Sequence, residues 1–449
     1  MDFVFFVDSL EFGVFDMNLS YRSYRAVSSA LFFAFLPAFW VYFKVTGRYR
    51  KSMPQRLGRY PDSVLRKIRG KPRIWIHAVS VGEVRSAAAI IRALSKTLPG
   101  SALVLSTGTE QGQAFARKQA GPAATCIYAP FDFVQATRKS LAAVFPDVLA
   151  CVETEIWPNW LMEAHRMGIK TALVNGRISI RSVRRYLMIK PLMKEILQQV
   201  DAFSMIGTAD AERLRRIGAP EERIEINGNA KYDLLLQQVR GGIRETMAAR
   251  YRIDGSQPVF VAGSIRSGEV ATVLESYEAI LHSVPGTLLI LAPRHIERVP
   301  QIVCQVNARG LRCQLRTGLD SGMLNRTAPV VVLDTIGELY ETYSIASVVF
   351  CGGSLVPLGG QNVLEPAVWS KPVLYGPSMD DFLDAKELLD RTGGGIQVAN
   401  GSDLAERTQY LLQNPAEAER IGRLAHQAVL THEGAARKHA AVICRLLEG

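Results

Sequence analysis

The residues best placed to do chemistry sit where an apolar run gives way to glycine, proline or charge. In HAVSVGEV, His77 to Val84, a strand-like run meets Gly82 and then Glu83, which falls in the first turn of a helix. A carboxylate there stands at the carboxyl end of a sheet, where ligands bind, and can take a proton from an attacking hydroxyl. Its plainer role is to complement the helix dipole. In CVETEIWPNW, Cys151 to Trp160, Glu153 and Glu155 stand two apart at a strand end, with Pro158 opening a helix. Such a pair suits acid–base work or a metal, or else a cap and a buried ion pair with Arg177. In INGNAKYD, Ile226 to Asp233, Lys231 supplies a cation able to stabilise a leaving phosphate, or simply a solvated charge.

The second half carries another set. Arg294 in LAPRHIER (291–298) follows a strand and suits a bidentate grip on phosphate or carboxylate, with His295 a structural neighbour. In DTIGELY (334–340), a cap by Asp334 or Thr335 turns the amides of Ile336 and Gly337 outward, as an anion-binding helix start does. The strongest segment is CGGSLVPLGGQNVLEPA (351–367), a strand running into two glycine pairs and a helix. Glycines let a backbone approach a ligand closely. The amides of Asn362, Val363 and Leu364 form a second phosphate cradle, and Glu365 can accept hydrogen bonds from ribose hydroxyls. The segment is neither a P-loop nor G-x-G-x-x-G. No Asp-x-Asp, H-E-x-x-H, C-x-x-C or G-x-S-x-G occurs in the chain, and lack of the first argues against a metal-dependent nucleotide-sugar site.

These segments need a scaffold, and the pattern between them supplies one. The strand-like runs RIWIHAV, SALVLST, VLACVET, TALVNG and AFSMIG alternate with helix-spaced runs such as VRSAAAIIRALSKTL and ADAERLRRIG. The series restarts near residue 257 with PVFVAGS, TLLILAP, PVVVLDT and SVVFCGGS. A chain of 449 residues suits two such domains. The pattern predicts an α/β protein of two doubly wound, Rossmann-like domains facing across a cleft at the carboxyl ends of their strands. Polar residues 234–256 read as the linker, and the helical run 416–447 as an element packing back across both halves. The expected divisions are a leader and anchor over 1–50, an amino-terminal domain over 51–235 and a carboxyl-terminal domain over 236–449.

Composition narrows the partners. Hydrophobic residues make up 48% and charged residues 21%, a globular balance. The net charge of +11 favours a phosphate-rich partner: nucleic acid, anionic lipid or a nucleotide-sugar. Zinc-finger spacing and RNP-like runs are missing, which sets nucleic acid aside. Six cysteines without a C-x-x-C pair read as reduced thiols of a cytosolic body. Residues 26–43 hold eighteen positions without a charge, interrupted by Pro37, near the lower limit for a membrane-spanning helix. Lys44, Arg48, Arg50, Lys51, Arg56 and Arg59 outnumber Arg22 and Arg25, which predicts a cytoplasmic body. A helix lying in the membrane surface, or a buried core helix, is the alternative. Residues 1–16 are apolar but acidic, and Met17 is an equally good start.

Taken in order, SVGE (80–83), YAPFDF (128–133), ETEIWPN (153–159), NGRIS-RS (175–182), GNAKYD (228–233), APRHIER (292–298), DTIGEL (334–339) and GGSL-GGQNVLEPA (352–367) resemble the 3-deoxy-D-manno-octulosonic acid (Kdo) transferases of lipopolysaccharide synthesis. The resemblance implies a GT-B fold, with acceptor on the amino-terminal domain and the donor CMP-Kdo mainly on the carboxyl-terminal one. It implies Glu83 as the base, and Glu153 and Lys231 as stabilisers of the transition state. CMP is then held by Pro293 and Arg294, by Ile336, Gly337 and Glu338, and by Asn362, Val363, Leu364 and Glu365. The implied reaction moves Kdo from CMP-Kdo to a lipid A precursor of the lipid IVA type by direct displacement, with neither cofactor nor metal. It takes place at the cytoplasmic face of a bacterial inner membrane, with anionic lipids as neighbours and no nucleic acid partner. Relatives often carry GPH-x-x-NF where this chain reads GPSMDDF (376–382), so Ser378 and Asp381 put donor contacts there in doubt. Two rivals remain at this point: a nucleotide-sugar epimerase or hydrolase of the same fold, and a membrane scaffold without turnover.

Overall fold

The computed structural model describes residues 19–46, 52–121, 123–320 and 326–448. The question of a start at Met17 falls outside them. The chain divides into two compact units: one runs to Lys231 and takes back Gly434–Gly449, and the other is Tyr232–Glu433.

In the first unit, short runs of β-branched and aliphatic residues form a parallel sheet: β1 (Arg73–His77), β2 (Ala102–Thr107), β3 (Thr125–Tyr128), β4 (Val148–Val152), β5 (Lys170–Gly176), β6 (Ala202–Met205) and β7 (Ile224–Ile226). Their spatial order is β3-β2-β1-β4-β5-β6-β7. Ile74, Trp75 and Ile76 of β1 and all five residues of β4 are buried, as strands covered on both faces by helices must be. β1 lies between β2 and β4, so connections depart to either side of it. That makes the junction of β1 and β4 the topological switch point.

The second unit repeats the plan with β8 (Val259–Ile265), β9 (Leu288–Pro293), β10 (Cys313–Leu315), β11 (Val330–Val332), β12 (Val348–Cys351), β13 (Val373–Tyr375) and β14 (Gly395–Gln397). All pairings are parallel, in the order β10-β11-β9-β8-β12-β13-β14, and the switch point lies between β8 and β12. Two parallel-sheet, Rossmann-like α/β domains are therefore present, as the alternation predicted.

Three expectations need correction. Residues 234–256 are not a bare linker: helices Ala230–Gln238 and Ile243–Arg250 occupy much of them, and Met247 and Tyr251 are buried in the core of the second unit. The run 416–447 is two helices, Pro415–Leu430 and Ala435–Glu448, parted near Gly434 at φ +72°. The first belongs to the second unit, while the other packs on helix Val81–Thr97 and strands β4 to β6 of the first.

The third correction concerns the anchor. Among the described residues no helix is long and apolar enough to cross a membrane. Helix Leu19–Thr46 is bound to the first unit along its early turns instead. Tyr21 is fully buried, with its N–H donating to Glu195 and its hydroxyl to Asn159. Tyr24 donates to Asp132 at 2.9 Å, and Phe32 stacks on Phe133 with ring centroids 4.3 Å apart. Side chains committed to protein cannot also face hydrocarbon, so the expected span over 26–43 is not supported.

Candidate functional site

In the first unit, β1 and β4 end at the switch point and each delivers a carboxylate to it. After β1, Ser80 caps helix Val81–Thr97: its hydroxyl oxygen accepts from Glu83 N–H at 3.4 Å and donates to Glu83 Oε1 at 2.7 Å. Val79 N–H, one residue before the cap, donates to Glu83 Oε2 at 2.7 Å. Burial raises the Glu83 carboxyl above its ordinary pKa, against the lowering effect of these two bonds. The charge of Glu153 raises it further and that of Lys231 lowers it.

Glu153 follows β4 at φ +61°, the left-handed region that a residue with a Cβ enters at a cost of about 1–2 kcal/mol. Its carboxylate meets Lys231 Nζ at 2.7 Å and accepts from Ser86 Oγ at 3.4 Å. A Cβ on Gly82 would lie 3.7 Å from Lys231 Nζ, so the ammonium sits over the turn that carries Glu83. Asn175, another left-handed residue at φ +50°, donates to Ser86 Oγ at 3.2 Å and accepts from Ala230 N–H at 2.8 Å. Glu83, Glu153 and Lys231, distant in sequence, thus converge on one spot.

Glu155 has a different place from Glu153. Its carboxylate accepts from Trp157 Nε1 at 2.5 Å and lies 4.0 Å from His77 Nε2. Burial holds His77 down to about 4, so the ring is neutral, and burial with the charge of Glu83 raises Glu155 to about 7. The ion pair of Glu153 is made with Lys231, and the Arg177 carbonyl accepts from Thr154 Oγ1 at 2.6 Å. Asp132, within YAPFDF, accepts from Asn159 N–H and Trp160 N–H and so caps helix Pro158–Arg166 from across the fold.

In the second unit, Pro293 ends β9, and Arg294 follows with its N–H on Ile265 O at 3.0 Å and its side chain exposed. The segment 334–338 differs from expectation. Asp334 accepts from Thr317 N–H rather than capping a helix, and the helix starts later, at Leu339. Glu338 accepts from Arg250 at 2.9 Å, Arg316 at 2.8 Å and Thr335 Oγ1 at 2.6 Å, so its carboxylate is committed to the fold. Ile336, 87% exposed, and Gly337, at φ +92°, are what the segment presents.

Beyond β12, Gly353, Gly359 and Gly360 all adopt positive φ. Asn362 Oδ1 accepts from Leu364 N–H at 3.2 Å, and its Nδ2 reaches Glu365 Oε1 at 3.4 Å. The Val363 and Leu364 side chains are buried, and the Leu364 N–H expected in a phosphate cradle is given to Asn362 Oδ1 instead. Ser378 Oγ accepts from Gly359 N–H at 3.0 Å, and Asp381 N–H donates to Gly359 O at 3.0 Å. The Ser378 side chain and the Asp381 backbone thus brace the second glycine pair.

One residue escaped the sequence reading. Glu269, fully buried, follows β8 as Glu83 follows β1. Its carboxylate accepts backbone N–H groups of Gly353 at 2.6 Å, Ser354 at 3.0 Å, Leu355 at 2.9 Å and Arg266 at 3.0 Å. It fixes the first glycine loop at the second switch point. The signal was present: GEV recurs at 82–84 and 268–270, each time after the first strand of a half.

Comparisons with known proteins identify the family. Residues 51–234 match the family described as 3-deoxy-D-manno-octulosonic-acid transferase (kdotransferase). A 3-deoxy-D-manno-octulosonic acid transferase of Haemophilus influenzae is 30% identical over 392 residues, 87% of this chain and 90% of the relative. The chain belongs to the Kdo transferase family. A Bordetella pertussis Kdo transferase is likewise 30% identical over 373 residues, covering 81% of this chain and 85% of its own. Among solved structures, a putative UDP-N-acetylglucosamine 2-epimerase from Listeria monocytogenes superposes with a TM-score of 0.57 at 14% identity, over 84% of this Kdo transferase and 97% of the epimerase. At that identity the likeness concerns the fold alone, two Rossmann-like domains of the kind expected for GT-B. This Kdo transferase is accordingly a glycosyltransferase of lipopolysaccharide synthesis.

Proposed function

We propose that this transferase takes Kdo from CMP-Kdo and places it on a lipid A precursor of the lipid IVA type, by direct displacement without a metal or covalent intermediate. The observation that carries the reading is the convergence of Glu83 with the Lys231–Glu153 pair at one switch point. Glu83 removes the proton of the acceptor hydroxyl as that oxygen bonds to C2 of Kdo and the bond from C2 to the CMP phosphate breaks. Lys231, paired with Glu153 at 2.7 Å, stabilises the negative charge that grows during departure. Pro293, Arg294, Ile336, Gly337, Glu338 and Asn362 to Glu365 hold CMP, with Arg294 and backbone amides as the donors.

The reading places the enzyme at the cytoplasmic face of a bacterial inner membrane. Val27, Leu31 and Phe35 of helix Leu19–Thr46 are exposed at four-residue spacing, an apolar stripe suited to the lipid surface. Mass spectrometry after incubation with CMP-Kdo and a tetra-acylated lipid A precursor tests the function. A lipid heavier by Kdo units is expected. Release of free Kdo, or an unchanged lipid beside bound CMP, overturns it.

A further inference from the structure

The proposed transfer gives no role to His439, yet its side chain is completely buried. It lies on helix Ala435–Glu448, and its ring reaches three segments of the first unit. Nε2 stands 3.0 Å from Gly228 O. A carbonyl only accepts, so Nε2 carries the proton. In the neutral ring Nδ1 is then an acceptor, and it takes the Ser204 hydroxyl at 2.6 Å and Asn175 N–H at 3.3 Å. The backbone N–H of Asn175 can only donate, which agrees with the same tautomer.

Each of these partners bears on the turn before Lys231. Gly228 sits in that turn at φ +86°. Ser204 Oγ accepts from Asn227 Nδ2 at 2.8 Å. Asn175, whose own N–H the ring receives, accepts from Ala230 N–H and, through Ser86, adjoins Glu153. One imidazole therefore pins Asn227, Gly228 and Ala230, directly or through one neighbour.

We infer that His439 is a positioning residue, whose ring fixes the turn 227–230 and so aims Lys231 Nζ at Glu153. The inference rests on Lys231 belonging to the transfer machinery. In the full chain, His439→Leu is expected to lower kcat by about 10- to 100-fold, the loss that slight misplacement of a reacting group brings, with KM for CMP-Kdo unchanged. His439→Gln, whose amide N–H can still reach Gly228 O, is expected to recover most of the rate. Added to Lys231→Ala, His439→Leu costs little more, because both changes remove the same contribution. Independent losses that multiply in the double variant, or full turnover in a folded His439→Leu protein, overturn the inference.

Two further readouts keep the outcomes separable. Amide hydrogen exchange at 227–231 should quicken in His439→Leu, and unaltered protection there overturns the inference whatever the rates. Should that variant not fold, His439→Gln is set against His439→Asn, which reaches only the Nδ1 side: Gln faster than Asn supports the role, and the reverse sinks it. If the unaltered chain transfers no Kdo, the functional reading fails, and the exchange data alone decide the positioning.

Discussion

Lys231 Nζ and Glu153 Oε1 lie 2.7 Å apart, and both groups act on the carboxyl of Glu83 with opposite sign. Burial raises that carboxyl, Glu153 adds to the rise, and Lys231 counters it. The pair is thus a control on the basicity of its neighbour as well as a source of positive charge.

The pH profile should show this. Glu83 works as a base only when deprotonated, so activity falls as pH drops through its folded pKa. The acid limb of kcat/KM should therefore sit above the ordinary carboxylate range. Lys231→Met removes a lowering charge and should move the limb up, while Glu153→Gln removes a raising one and should move it down. Limbs moving in the same direction in both variants would contradict the electrostatic account.

Glu83→Gln keeps the size of the side chain and removes the base. Turnover should fall at least ~100-fold, the lower end for loss of general base catalysis. Melting temperature should change little, since Ser80 still caps the helix. A rate near that of the unaltered enzyme would exclude Glu83 as the base.

Glu269→Gln tests the hidden acid of the second half. A carboxamide turns an N–H₂ group toward backbone donors that Glu269 now accepts, leaving a buried donor unsatisfied at a cost of about 1–3 kcal/mol. Urea unfolding should register the loss, and KM for CMP-Kdo should rise more than kcat falls. Unchanged stability and donor affinity would show that the glycine loop stands without it.

Gly359→Ala combines two penalties. The position has φ +78°, and a Cβ there would come within 2.5 Å of Asp381 Oδ2. Donor affinity should drop, and adding Asp381→Ala should recover part of it by relieving the clash. The remaining strain, roughly 1–2 kcal/mol, should persist. No recovery in the double variant would mean that contact with Asp381 is not what limits the loop.

Much of this was legible in the sequence, and what was not has physical causes. The long strands declared themselves because burial on both faces makes them continuous apolar runs, as in β1 and β4. β7, β10, β13 and β14 have only three residues each, too few for a period to emerge. Glu83 was readable from its place after a strand. Glu269 has the same place, but its partners Gly353 to Leu355 lie more than 80 positions away. In the sequence alone an acid at a helix start looks solvated. Glu153 and Glu155 looked like one pair, and the left-handed turn at Glu153, invisible in composition, sends them to different neighbours. Lys231 was picked out as a cation, but its partner required the folded sheet.

The first unit owns two stretches of chain separated by the whole of the second. A ribosome must therefore translate every residue of 232–433 before the piece bearing Ala436, His439, Ala440 and Ile443 can cover the core left waiting beside β4 to β6. A frameshift or premature stop anywhere in that interval leaves both halves unfinished. An amino-terminal fragment that stops in that interval should therefore leave an apolar face uncovered beside β4 to β6.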